Sequence, residues 1–177
     1  NDKHAFPLGE CVQGYVDLNQ KMEYTINFQN TGNASAINVF LVDTLDAAFD
    51  ISTLRVASNS HPVITEIFSG NVAKFRFDNI NLLDSNANEP ASHGYVVYDI
   101  EPVNSIASGT IVENSAGIYF DFNAPVITNT VTNTFINTIP NCVTSIKTLE
   151  TGETGFIIYP NPVSSTLTIK NLDVINE

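Results

Sequence analysis

The sequence predicts an all-β fold, an antiparallel Greek-key sandwich, and three observations carry that expectation. Apolar side chains recur at every second position in several short runs, and Gly, Asn, Asp and Pro punctuate those runs at sandwich-like spacing. No stretch shows the 3.6-residue period of an amphipathic helix. Composition agrees. Charged residues make up only 15% of the 177, and the polar surface is drawn from Asn, Thr and Ser instead of strong helix formers such as Glu and Lys.

Taken in order, the clearest strand is 21–29. Met22, Tyr24, Ile26 and Phe28 share one face, and Lys21, Glu23, Thr25, Asn27 and Gln29 the other. Asn30-Thr31-Gly32-Asn33 ends it with residues that tolerate positive φ. The nearly continuous apolar run 37–42 reads as a central strand closed by Asp43-Thr44-Leu45-Asp46, and 46–49 as one helical turn. Short strands at 54–57 and 63–68 follow, then a Ser69-Gly70-Asn71 hairpin into 72–78, where Ala73, Phe75 and Phe77 alternate with Lys74, Arg76 and Asp78. After a polar loop at 79–92, strands are expected at 93–101, 110–121 and 125–136.

Beyond residue 136 the character changes. Residues 1–138 read as the sandwich, 139–156 as a polar linker with two glycines, and 157–177 as the start of a second β unit. That last piece is too short to bury a core by itself. Its strands are expected at 156–159 and 165–172, around Pro160-Asn161-Pro162.

Hydrophobic residues at 43% and a mean hydropathy of +0.04 allow a buried core. Seven Lys and Arg against 19 Asp and Glu give a formal charge of −12, which argues against nucleic acid and anionic lipid as partners. No run of 18 apolar residues forms a membrane-spanning helix, and no signal peptide precedes Asn1-Asp2-Lys3, so the chain is expected to be a C-terminal piece of something longer. Trp is absent, which excludes the Trp-on-disulfide core of antibody domains. Cys11 and Cys142 admit two readings. Either they staple a loop of about 130 residues, worth about 4–5 kcal/mol on the chain-entropy model, or they are two unpaired thiols.

Two resemblances rest on particular motifs. Tyr24 through Gly32, then Ala36-Ile37-Asn38-Val39 and Asp43-Thr44-Leu45, resemble the Ig-like conserved-repeat domains of bacterial surface proteins. The variant opening on Asn1-Asp2-Lys3 resembles one that precedes the C-terminal signal of large secreted Bacteroidota proteins. Phe75-Arg76-Phe77-Asp78-Asn79-Ile80, Asn88-Glu89-Pro90, Ser92-His93-Gly94-Tyr95, residues 118–123 before Pro125, and Thr128-Asn129-Thr130 resemble it as well. Together these cover residues 1–136. Further on, Ile158-Tyr159-Pro160-Asn161-Pro162 with Leu167-Thr168-Ile169 is similar to the opening of a type A sorting domain of the type IX secretion system. That resemblance implies a signal built around Tyr159, Pro160, Asn161, Pro162, Leu167 and Ile169. It further implies an outer-membrane translocon and a shuttle protein as partners, and a place outside the cell or on its surface.

Candidate chemistry is sparse. His4, His61 and His93 lack metal-ligand spacing, and neither a nucleophile elbow nor a phosphate-binding glycine loop occurs. Neither cysteine has a neighbouring His or helix N-terminus to activate it. Carboxylates two or three apart, Asp43 with Asp46 and Asp99 with Glu101, read as solvated surface. Calcium is the one small ligand with candidate donors: Asp84, Asn86, Asn88 and Glu89 in one loop, and Asp2, Asp121 and Asn123 should the termini meet. Asn33-Ala34-Ser35 fits the N-linked glycosylation pattern, and Asp43-Thr44-Leu45 resembles the Bacteroidota O-glycosylation pattern with Thr44 as acceptor.

These readings point away from an enzyme and toward a non-catalytic stalk or spacer with an export signal behind it. The alternative is an adhesin or carbohydrate-binding domain, calcium-dependent or not, with Tyr95, Tyr98 and Tyr119 as surfaces for sugar stacking.

Overall fold

The computed structural model describes residues 1–141 and, beyond them, the backbone of residues 156–159 and 168–171. Two compact units divide the chain, Asn1–Pro140 and Asn141–Glu177.

The first unit is an all-β sandwich. Its strands are β1 (Asp2–Phe6), β2 (Tyr15–Asp17), β3 (Met22–Gln29), β4 (Val39–Thr44), β5 (Phe49–Asn59), β6 (Ile64–Phe68), β7 (Val72–Phe77), β8 (His93–Pro102), β9 (Thr110–Asn114), β10 (Ala116–Phe120), β11 (Val126–Ile127) and β12 (Val131–Ile136). A four-stranded sheet runs β1-β3-β8-β5, a five-stranded sheet β11-β10-β4-β7-β6, and a three-stranded sheet β2-β12-β9. Every pairing is antiparallel except β2 with β12.

β3 realises the alternation expected of it. Met22, Tyr24, Ile26 and Phe28 are at most 1% exposed, and the residues between them are half-buried. β4 is the central strand of the five-stranded sheet, though it begins at Val39, and Ile37 is left exposed. Aromatic rings bridge the sheets: Phe28 meets Phe77 at 5.0 Å, Phe75 stacks on Tyr98 at 5.2 Å, and Phe49 meets Phe135 edge-on at 5.9 Å. Phe28 reaches its place because Gly94 lies opposite it. A Cβ on Gly94 would sit 2.2 Å from the Phe28 ring.

Several segments differ from the sequence expectation. β1 and β2 occupy residues for which no strand was expected, because the inward positions of β1 are Lys3 and Ala5 while Phe6 points outward, inverting the usual pattern. Residues 46–49 make a turn and no helix: the Phe49 N–H bonds the Asp46 carbonyl at 3.0 Å, and Asp46 Oδ1 accepts the Ala48 N–H at 2.8 Å. That turn feeds an eleven-residue β5, far longer than 54–57. The expected strand 110–121 breaks at Ser115, so that β9 and β10 belong to different sheets. In the same way 125–136 divides into β11 and β12. Leu82, inside the expected loop 79–92, is buried at 2% and paired with Ala36.

In the second unit β13 (Phe156–Tyr159) and β14 (Thr168–Asn171) form an antiparallel pair, with Ile158 opposite Ile169 and Tyr159 opposite Thr168.

Candidate functional site

Among the described residues one ion pair lies where water does not reach, while the others sit at the surface. Lys3 on β1 and Asp43 on β4 face each other across the sandwich as an ion pair, and both side chains are 0% exposed. Strand parity puts them there. Lys3 alternates with exposed His4, and Asp43 follows Val39 and Leu41 on the inward face of β4. The reading of Asp43 as solvated surface is therefore corrected.

Three further side chains complete the cluster. The Tyr98 hydroxyl donates to Asp43 Oδ2 at 2.6 Å and accepts from Lys3 Nζ at 3.3 Å. It also accepts from Asn114 Nδ2 at 3.3 Å. The Lys3 ammonium lies 4.9 Å from the Tyr24 ring centroid and 5.7 Å from that of Tyr98, within cation–π range. Asn129 holds β1 in place from outside: its Oδ1 accepts the Lys3 N–H at 2.8 Å, and its Nδ2 donates to the Lys3 carbonyl at 2.9 Å.

Burial dominates the electrostatics. It draws the Lys3 amine down from 10.5 to about 8, against the opposing pull of Asp43. Burial also pushes the Tyr24 and Tyr98 hydroxyls well up, and the nearby Asp43 charge adds to both. Two buried side-chain atoms among the described residues have no hydrogen-bond partner, Asp43 Oδ1 and Asn114 Oδ1, and both belong to this cluster. An unpartnered buried polar atom costs about 1–3 kcal/mol, so two in one place are conspicuous. Asn114 also lines a surface hollow of about 440 Å³, together with Val42, Thr44, Tyr119 and Thr130.

The candidates read from sequence lie elsewhere and serve local structure. Asp84 Oδ1 accepts the N–H groups of Asn86 at 3.1 Å and Ala87 at 3.0 Å. Asn88 Oδ1 accepts the Ala91 N–H at 3.2 Å, and Glu89 pairs with His93 at 2.8 Å. Asp2 bonds Asn27 at 2.8 Å, while Asp121, at φ 52°, receives the N–H groups of Ile37 and Asn38 at 3.0 and 2.7 Å. Asn123 Nδ2 donates to the Phe120 carbonyl at 2.9 Å. Among the described residues no three His, Cys, Asp or Glu side chains are grouped to hold a metal ion. Thr44 is exposed, whereas its neighbours Asp43 and Leu45 are buried. Of the tyrosines considered for sugar stacking, Tyr95 is exposed, Tyr119 lies flat on Phe40 at 4.5 Å, and Tyr98 is fully buried, which removes it from any surface. Cys11 is disulfide-bonded. Cys142, Pro160, Asn161, Pro162 and Leu167 lie outside the described residues.

Sequence reading missed Lys3, Tyr24 and Asn114 as members of one site. The available signal was a lysine and an asparagine at inward parity positions, legible only once β1 is known to be a strand and the 110–121 run is known to break at Ser115.

A family model described as a domain of unknown function, DUF7619, matches residues 1–134. No curated protein matches the chain. Among solved structures, the chain is similar to the N-terminal domain of the Streptococcus gordonii adhesin Sgo0707, with TM-score 0.57 and 14% identity over 76% of this chain and 32% of that one. It is also similar to BcpA, the major pilin subunit of Bacillus cereus, with TM-score 0.52 and 15% identity over 76% of this chain and 39% of that one. Domains D2 and D3 of the major pilin SpaD from Corynebacterium diphtheriae align at TM-score 0.50 and 14% identity, over 74% and 50%. The chain thus spans a third to a half of these three structures, and at these identities the likeness is one of fold: the Ig-like sandwich of pilin and adhesin domains.

Proposed function

The chain belongs to the DUF7619 family, and from that premise we propose that its first unit is a non-catalytic spacer in a secreted or cell-surface bacterial protein. The observation that carries this reading is the placement of the polar chemistry. The one dense cluster of charge and hydroxyl groups among the described residues is sealed between the sheets, where no substrate reaches it. Such a cluster ties layers together. The fold shared with adhesin and pilin domains fits a module that stands outside the cell. The shallow hollow beside Asn114 joins an amide, hydroxyls and apolar side chains with Glu113, and it lacks the paired acid and base of a hydrolytic site.

The second half of the proposal concerns residues 157–177. Their motif, Tyr159-Pro160-Asn161-Pro162 with Leu167 and Ile169, supports a type IX export signal read by the outer-membrane translocon and its shuttle protein. A reporter carrying residue 140 through the native C-terminus, expressed in a host with a working type IX system, is expected in the medium or on the cell surface. Retention in the periplasm overturns the signal reading. The spacer reading has its own check: a glycan array, run with and without calcium, is expected to stay blank, and a saturable sugar signal would favour the adhesin alternative.

A further inference from the structure

We propose that Lys3 and Asn114 become joined by an amide bond formed inside the folded chain, with Asp43 relaying the protons. The inference stands on the buried cluster alone and does not depend on the spacer or export readings.

Three reactive groups share one dry site. The Lys3 amine and the Asn114 carboxamide both hydrogen-bond the Tyr98 hydroxyl, each at 3.3 Å, and Asp43 contacts both Lys3 Nζ and that hydroxyl. Asn129 fixes the β1 backbone on both sides of Lys3, so the amine is positioned without cost at the moment of reaction. Holding nucleophile and acyl group together in this way replaces an encounter by an effective concentration of about 10⁵ M or more in favourable cases. Burial brings the amine to about 8, within about a unit of neutral pH, so the nucleophilic form is accessible.

The step balances without any co-reactant. A proton passes from Lys3 Nζ to Asp43, and the freed lone pair forms a bond to Asn114 Cγ while the carbonyl π pair moves to Oδ1. Asp43 gives its proton to Asn114 Nδ2 and takes another from Nζ. The Oδ1 pair then returns, the Cγ–Nδ2 bond breaks, and ammonia leaves. The product is a neutral amide beside a protonated Asp43, so two buried charges disappear. That proton also supplies a donor where the cluster has two unpartnered oxygens, Asp43 Oδ1 and Asn114 Oδ1. The hollow that Asn114 lines offers ammonia a way out. Asp43 is the less suitable acyl partner: it is the cluster's only carboxylate, and consuming it would leave no proton relay.

Intact-mass spectrometry of the purified, thiol-reduced chain tests this directly. The expected mass is about 17 Da below that of the sequence, the loss of one ammonia, with peptides bearing Lys3 and Asn114 recovered as one branched fragment after proteolysis. Lys3→Arg and Asn114→Ala chains are expected at full mass, and Asp43→Asn is expected to lose or greatly slow the deficit. A wild-type chain at full mass after prolonged incubation overturns the proposal. So does a deficit of about 18 Da with Lys3 joined to Asp43, which would be a water-releasing bond. The wild-type measurement decides the matter even where a variant fails to fold.

Discussion

The Lys3–Asp43 cluster and the loop at 79–92 are both dense in polar groups, yet they solve opposite problems. In the loop the side chains bond groups nearby in sequence: Asp84 the N–H groups two and three residues on, Asn88 the Ala91 N–H, and Glu89 the His93 ring. In the cluster water is excluded, and the partners are distant in sequence: Lys3 meets Asp43 across the sandwich, 40 residues away, and Tyr98 of its own sheet, 95 residues away. The same residue types are therefore turn-formers in one region and cross-links between layers in the other. Substitutions should separate the two regions by several-fold in cost.

The largest effect is expected at Asp43. Asp43→Ala leaves the Lys3 ammonium buried without its counter-charge and should cost about 3–5 kcal/mol in a urea or thermal unfolding experiment. Replacing both partners, Lys3→Met with Asp43→Leu, is expected to recover the part of that loss due to the unpaired charge, because two apolar groups need no partners, while the Lys3–Asn114 bond stays absent in both variants. A single-variant cost under about 1 kcal/mol would break the comparison, since it would mean that the sandwich interior tolerates a lone charge.

A smaller cost, about 1–3 kcal/mol by the same measurement, is expected for Gly94→Ala. There the interior is crowded by an apolar ring: the new methyl would sit 2.2 and 2.3 Å from two Phe28 ring atoms. An unchanged unfolding midpoint would show that Phe28 has room to turn, and that packing between β3 and β8 is loose there.

Both sites bear on what the sequence made legible. β3 and β7 stood out because each places apolar residues inside and mostly polar ones outside, so the two-residue period is visible in the letters. β1 could not be seen for the same reason in reverse: Lys3 is buried and Phe6 is 68% exposed. β9 and β10 merged into one expected strand because the break at Ser115 lies between Asn114 and Ala116, both inward, and nothing in their polarity marks the change of sheet. The fold thus showed through wherever burial and polarity agree. The cluster, made of buried polar side chains, is where they disagree, and it is the part that sequence pattern hides. The candidate calcium ligands, by contrast, were conspicuous as letters and are occupied with holding turns.

The smallest effects belong to that loop. Asp84 is 8% exposed and accepts two backbone N–H groups, so Asp84→Ala should cost about 1 kcal/mol, as the loss of a cap does. Glu89 has a 65% exposed side chain, and its contact with His93 is a surface pair, so Glu89→Ala should fall within about 0.5 kcal/mol of the parent. Neither variant is expected to change its unfolding midpoint when calcium is added or chelated, because Asp84 is committed to a local turn and Glu89 to His93. A saturable, calcium-dependent rise in the parent's melting temperature that disappears in Asp84→Ala would reverse that expectation. It would give the loop the role its composition first suggested, with the ion doing from outside what Lys3 does for Asp43 within.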